Sequence, residues 1–262
     1  MLILDRQTRP AGIRRLITSL ARSEAEIYEA QRLRYKVFAE EMGASLPSAS
    51  EGIDRDIFDP YCDHLLVREN QESRVVGTYR ILSPHQAQKI GGYYSQTEFD
   101  LTRLLHLSDR MVEVGRSCVH WDYRDGAAIT QLWGGLAEYI LKNGYEYLIG
   151  CASISMADGG HTAASIYRKL HRIYGAPVEY HVFPRCPLPL DALNQHLDAP
   201  IPPLLKGYLR LGAYICGEPS WDPDFNTADL LVLLPVSRLS SRYAKHFLKA
   251  CPGRLAGAEG NS

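Results

Sequence analysis

The chain has 262 residues, with 29 basic against 30 acidic side chains, a net charge of -1, 45 % apolar residues and 23 % charged ones. That length buries a real core and fits one large domain or two small ones, and the near-average composition argues against wholesale disorder. A balanced charge supplies no global field for drawing in nucleic acid, so any electrostatic recognition is local.

In chain order, the first segment, MLILDRQTRPAGIRR, has no apolar stretch of the kind a secretory signal needs, and no run approaches a bilayer span. The expectation is a cytoplasmic chain, at most peripheral to the membrane. GIRRLITSLA reads as an opening strand. Ser23 followed by Glu26 has the spacing of a capping box, and Ile27, Ala30, Val37 and Phe38 share one face of a helix over 24–41. Residues 43–63, rich in Ser, Pro, Gly and Asp, mark a long loop, and long ordered loops are often functional. HLLVRE and RVVGTYRIL form a hairpin across NQES. A helix is expected over QTEFDLTRLL, then a strand, MVEVGRSCVH.

A glycine turn, YRDGAA, follows that strand and opens a helix that stops near Asn143 and Gly144. YEYLIGCASI is apolar enough for a sheet interior. A helix over HTAASIYRKLHRI, a proline-rich connection, a short helix at LLKGYLRLG, the β-region ADLLVLLPV and a closing helix SSRYAKHFLK complete the order. This alternation suggests one mixed α/β sheet. Residues 1–251 read as a single domain and 252–262 as a flexible tail. The six cysteines are scattered singly, which reads as reduced thiols. No paired-histidine motif supports a metal site, and Ser117 lies on a strand rather than in a nucleophile elbow.

Strand, glycine turn and helix start together read either as a phosphate cradle, because free N–H groups at a helix N-terminus favour negative charge, or as one of the common glycine-bearing strand-to-helix turns. Glu113 and Arg116 lie three apart on the strand beside it. Residues so spaced point to opposite faces unless a bulge intervenes, and Gly115 is the residue that would permit one. A bulge would free a backbone N–H as an oxyanion donor. Asp54, Asp56, Asp59 and Asp63 crowd the long loop, where they either cap turns or receive a cationic amine. Basic runs at Arg14, Arg15, Arg22 and at Arg168, Lys169, Arg172 read as solvated helix faces or as docking points for an acidic carrier protein.

Several stretches together, AQRLRYKVFAEE, DIFDPYCDHLLV, VVGTYRIL, VEVGRSCVH, GYEYLIGCASI and LLKGYLRLGAYICGEPSWDPDFNTADLLVLL, resemble the bacterial L-ornithine Nα-acyltransferases of ornithine-lipid synthesis, a hemolysin-like group within the GNAT superfamily. A more distant resemblance is to acyl-homoserine-lactone synthases, whose motif residues are matched by Arg34, Phe38, Asp56, Asp59, Arg80, Glu113 and Arg116. Further aromatic landmarks of those synthases are missing, which disfavours S-adenosylmethionine as substrate.

The resemblance implies a GNAT-like fold, a mixed central sheet flanked by helices. It implies transfer of a (3-hydroxy)acyl group from the phosphopantetheine of acyl carrier protein to the α-amine of ornithine, with no permanently bound cofactor. Glu113 would be the base, Gly115 would mark the oxyanion donors, and Arg116 and Arg80 would orient carboxylates. Asp56 and Asp59 would bind a cationic amine, and Arg34 and Phe38 would line the entrance for the carrier arm. The GNAT phosphate motif is matched at Gly126 and Ala128 but has Tyr123 first and its arginine, Arg124, displaced by one, which favours a carrier-protein thioester over coenzyme A. The competing readings are an acyl-homoserine-lactone-type synthase, acylation of another amino acid such as glycine, a non-catalytic acyl-carrier- or lipid-binding module, and a hemolysin-like lytic protein.

Overall fold

Ser23 caps the first helix as its spacing predicts. Its hydroxyl accepts the Glu26 N–H, while the Glu26 carboxylate accepts the N–H of Arg22. In the computed structural model, which describes residues 15–70 and 74–239, this helix, α1, runs Glu24–Tyr35 and continues as a π-helical turn over Lys36–Glu41. Such turns are rare and gather at functional sites; this one brings Phe38 and Glu41 to a cavity wall.

Strands β1 (Leu16–Leu20), β2 (Asp63–Glu69) and β3 (Val75–Leu82) form the expected antiparallel run. After α2 (Pro84–Ile90) and the short β4 (Phe99–Asp100) come β5 (Met111–Val119), α3 (Ala127–Asn143), β6 (Tyr147–Ser155) and α4 (His161–Tyr174). The chain then passes through β7 (Phe183–Pro184), α5 (Pro203–Leu211), β8 (Tyr214–Ile215), β9 (Ser220–Asp222) and β10 (Thr227–Pro235). The main sheet has the order β1-β2-β3-β5-β6-β10-β8, with β9 also on β10. Its pairs are antiparallel except β5 with β6.

Two elements differ from expectation. QTEFDLTRLL is not an α-helix: 3-10 turns over Tyr94–Thr97 and Thr102–Arg110 flank β4. Leu101, Leu104 and Leu107 are all buried, and their spacing of three matches the three-residue turn of a 3-10 helix. The Asp100 carboxylate takes both the N–H and the hydroxyl of Thr102, which stops a helix from starting earlier. Helix α2 has no counterpart in the expected order, although Ser83 and Pro84 are a readable start signal: the Ser83 hydroxyl caps the Gln86 N–H. The closing helix expected over SSRYAKHFLK and the tail from Pro252 lie outside the described residues.

Alternation sorts β5 and β6 between two cores. Val112, Val114 and Leu148 face α3, α4 and α5, while Met111 and Ile149 face the 3-10 segments and Phe99. Among the described residues, no helix is long and apolar enough to cross a membrane.

Although β5 and β6 each have nine residues, they pair only from Met111–Tyr147 to Glu113–Ile149. Past that point the strands part. Gly150 sits in the fork, where a Cβ would lie 2.4 Å from the Val114 carbonyl oxygen. That oxygen is part of a strand backbone and cannot swing away as a side chain would. Gly150→Ala is therefore expected to force the fork wider and to cost about 1–3 kcal/mol, read as a lowered denaturant midpoint together with reduced turnover.

Candidate active site

The parted strands open onto a cavity of about 880 Å³ that passes through the sheet. On the helical side it is lined by Ile129, Thr130 and Trp133 of α3 and by Leu204, Gly207 and Tyr208 of α5; on the other it meets Phe58, Arg80, Tyr94, Glu113, Arg116 and Asp229. One side is thus mostly apolar and the other charged. Beyond Glu113 the β5 edge has no ladder partner on β6, so those backbone N–H groups of the Val114–Ser117 stretch that do not serve the β3 ladder face the fork.

Glu113 is 4 % exposed and shares a sheet face with Leu82, Ile149 and Cys151. Its carboxylate is held by backbone: Oε2 accepts the Tyr94 N–H at 2.6 Å and Oε1 the Ser95 N–H at 2.7 Å, with the Ser95 hydroxyl donating to Oε1 as well. Burial pushes its pKa up, and these three donors oppose the shift. Oε2, with a single donor, keeps a lone pair for a proton.

The expected bulge is present, but Arg116 rather than Gly115 makes it. Thr78 pairs with Cys118 and Arg80 with Gly115, so β5 carries one extra residue opposite Tyr79. Arg116 takes a left-handed backbone, φ 50°, whereas Gly115 does not. The bulge does not bring Arg116 to Glu113. It aims the guanidinium at Asp54 and Asp56, each 3.3 Å away, and sandwiches it between Tyr94 and Phe225 at 4.9 and 4.7 Å from their ring centres.

Asp56 and Asp59, expected to take a substrate amine, are already neutralised. Asp59 is clasped by Arg34 at 2.7 Å and Asp56 by Arg80 at 2.6 Å. Arg34, expected at the carrier entrance, is fully buried and not on the cavity wall; of that pair only Phe38 lines it. Three carboxylates (Asp54, Asp56, Asp59) and three guanidiniums (Arg34, Arg80, Arg116) form a neutral lattice that staples the long loop to the sheet. Arg80 and Arg116 alone of the six also face the cavity.

Burial pushes the Asp56 carboxyl up, yet Arg80, Arg116 and the Phe58 N–H outweigh it and hold it below the ordinary range. A depressed carboxylate contributes stability above its unfolded pKa, about 3.9, that is lost as pH falls through the folded value. His64, buried and lowered chiefly by desolvation, acts in the same direction from about pH 6.5 down, because the unfolded chain binds its proton first. Asp56→Asn is expected to lower neutral stability and flatten the acid-unfolding curve below about pH 4, measured by fluorescence.

At the expected cradle, Gly126 precedes α3 with φ 100° beside the cavity; the Asp125 carboxylate accepts the Ala127 N–H at 3.0 Å, so an anion would have to use the N–H groups that follow. The Ala128 methyl is fully buried in the core, so only its backbone can serve a phosphate. Arg124 is engaged elsewhere, donating to Glu41 at 2.6 Å and to the Val119 carbonyl at 2.9 Å. Tyr123 is a core residue that donates to Glu69. Tyr94, Ser95, Trp133 and Asp229 were not foreseen as site residues; for Asp229 the signal was a lone carboxylate inside ADLLVLLPV.

A mixed sheet whose only parallel pair, among the described strands, parts over a through-sheet cavity is the architecture of a GNAT-type acyltransferase. The sequence profile of the acetyltransferase (GNAT) domain matches residues 33–134. The fold is similar to the CoA-dependent acyl-homoserine lactone synthase BjaI, solved with SAM and isopentyl-CoA, at a TM-score of 0.52 and 16 % identity over 91 % of this chain and 92 % of that one.

The chain belongs to the L-ornithine Nα-acyltransferase family. It is 39 % identical over 253 residues to the L-ornithine Nα-acyltransferase of Rhizobium meliloti (strain 1021), covering 90 % of this chain and 85 % of that one. To the Rhodobacter capsulatus enzyme it is 38 % identical, covering 90 % and 95 %.

Proposed function

We propose that the protein transfers a 3-hydroxyacyl group from the phosphopantetheine thioester of acyl carrier protein to the α-amine of L-ornithine, the first step of ornithine-lipid synthesis. The observation that carries this reading is the fork between β5 and β6, which joins an apolar half-cavity to a charged one with a buried carboxylate at the junction. Family membership supplies the acceptor.

The acyl chain lies in the apolar half, along Ile129, Trp133, Leu204 and Tyr208. The phosphopantetheine phosphate meets the α3 start at Gly126. With Arg124 tied to Glu41 and Val119, one phosphate suits this cradle better than a pyrophosphate. The amino acid approaches from the charged half, its carboxylate toward Arg116, which lines the cavity there.

A free α-amine is mostly protonated at neutral pH, so a base must act first. Oε2 of Glu113, directly or through a water, takes the proton. The amine nitrogen then attacks the thioester carbonyl carbon; the C–N bond forms, the C–S bond breaks, and the sulfur leaves as a thiolate that becomes the carrier thiol by taking up the second proton the nitrogen sheds. Unpaired N–H groups of β5 beyond Glu113 hold the oxyanion between these events. No covalent enzyme intermediate is required once amine and thioester share the fork.

The test supplies purified protein with 3-hydroxyacyl carrier protein and, in parallel, the corresponding coenzyme A thioester, each with ornithine, lysine, glycine and S-adenosylmethionine. Mass analysis should find Nα-acyl-ornithine from the carrier-protein arm. No acyl-amide from any amine would remove the enzymatic reading; product from coenzyme A at equal efficiency would remove the carrier preference. The basis for transient contact with the inner membrane surface is the amphiphilic product alone.

A further inference from the structure

On the charged side of the fork, two strands and the turn before β4 bring together two carboxylates and a thiol that the chemistry above does not use. Glu98, which precedes β4, Cys151 of β6 and Asp229 of β10 place one donor atom each within 4.8 Å of one another. Asp229 pairs with Ser153, and Leu231 with Cys151, so the β10 carboxylate shares the sheet face of Cys151 and Glu113. Asp229 and Cys151 line the cavity together with Ser153, Thr227 and Asp222, whereas Glu98 is off its wall and next to Asp229.

Asp54, Asp56 and Asp59 each have a guanidinium partner. Glu98 and Asp229 have no cationic partner among the described residues; neither oxygen of Glu98, a residue only 8 % exposed, makes a well-formed hydrogen bond, its polar neighbours being Tyr94 and Asp229 itself. Asp229, 4 % exposed, accepts the Thr227 hydroxyl at 2.9 Å. The backbone fixes Glu98 from both sides, its N–H donating to the Ser95 carbonyl and its carbonyl accepting the Arg185 N–H. Burial and mutual repulsion push the Glu98 carboxyl up, and burial raises Asp229 as well, so the pair lacks the cation that would let both ionise. An arrangement this costly persists where a ligand compensates it.

Building on the ornithine reading above, we infer that Glu98 and Asp229 form the seat for the side-chain ammonium of the acceptor, selecting a diamino acid over its neutral counterparts. The spacing fits. Ser95 touches Glu113 with its hydroxyl and also lies 3.5 Å from the Cys151 sulfur, so the base for the α-amine and the acid pair are neighbours on either side of one serine. A three-methylene stem bridges such a gap, with its α-amine at Glu113 and its terminal ammonium at Asp229. Two carboxylate acceptors and no amide suit an ammonium, which has only donors. Burial holds the Cys151 thiol protonated, which makes it a poor metal ligand.

The test compares L-ornithine with L-norvaline, the same chain without its terminal amine, using wild type, Glu98→Gln and Asp229→Asn. Wild type should prefer ornithine in kcat/KM by about 10²-fold or more, since a site built around a polar group strongly rejects the analogue lacking it. Both variants should bring the ratio to within about threefold of unity, with the ornithine loss carried mainly by KM. A ratio unchanged in the variants, or both amines falling in parallel, would overturn the assignment, since a base for the α-amine serves both substrates. So would a stoichiometric metal in the purified protein. The wild-type ratio needs no variant: equal use of ornithine and norvaline overturns the seat while leaving the transferase reading intact. Acylation of neither removes both.

Discussion

Glu113→Gln is expected to lower acyl transfer to ornithine by about 10²- to 10⁴-fold, the usual worth of a positioned base, and also to destabilise the fold. The second effect follows from how the carboxylate is held. Tyr94 N–H, Ser95 N–H and the Ser95 hydroxyl all donate to it, and the two backbone donors reach different oxygens. A glutamine can turn its carbonyl to only one of those N–H groups and must set its own NH2 against the other, leaving a buried donor unmet at a cost of about 1–3 kcal/mol. Denaturant midpoints and kcat/KM should therefore fall together. Ser95→Ala separates chemistry from stability because it keeps the base and removes one donor that favours its ionised form. With that donor gone, the already raised pKa of Glu113 rises further, and the ascending limb of the pH–rate profile should move to higher pH. Full turnover in the glutamine variant at pH 7 would take Glu113 out of the mechanism.

The residues of this site were more legible in the sequence than their roles. Arg34, Asp56, Asp59, Arg80, Glu113 and Arg116 do gather about one loop and one strand, but residue types alone do not say which charges cancel. Asp56 and Asp59 look ready for an amine until Arg34, Arg80 and Arg116 are seen to neutralise them. The three-residue spacing of Glu113 and Arg116 calls for a bulge only if the two side chains pair; a bulge is there, yet the left-handed residue is the arginine, and the turn carries it away from the glutamate. The partners of Glu113 are main-chain N–H groups, which every residue but proline possesses, so no pattern marks Tyr94 or Ser95. Asp229 could have been found, because a carboxylate at a buried position of an apolar strand needs a reason. The 3-10 turn after β4 was missed because Leu101, Leu104 and Leu107 fit either helix over so short a span, and the cap at Asp100 decides between them.

Arg34→Met is expected to be the most destabilising single change at the site, by about 3–5 kcal/mol, the typical cost of stranding buried charge. Arg34 is fully buried; its Nη2 lies 2.8 and 2.7 Å from the two oxygens of Asp59, and its Nε is 2.9 Å from Asp54. Removing it leaves two carboxylates, each 2 % exposed, with too little positive charge around them. Set against a total folding stability of about 5–15 kcal/mol, this loss alone brings the chain near its threshold. Arg34→Lys should rescue only part, since an ammonium is a point charge and cannot span both aspartates as the planar guanidinium does. Pairing Arg34→Met with Asp59→Asn removes the stranded charge as well as its partner, and urea midpoints of the cycle should show the double variant less destabilised than the two single changes added together. Additive losses would mean that Arg34 acts by packing and not by charge. The same cycle, read in KM for ornithine, tests whether the lattice also aims Arg116 at the acceptor carboxylate as proposed: if it does, KM should rise as the loop that holds Asp54 and Asp56 against the guanidinium loosens.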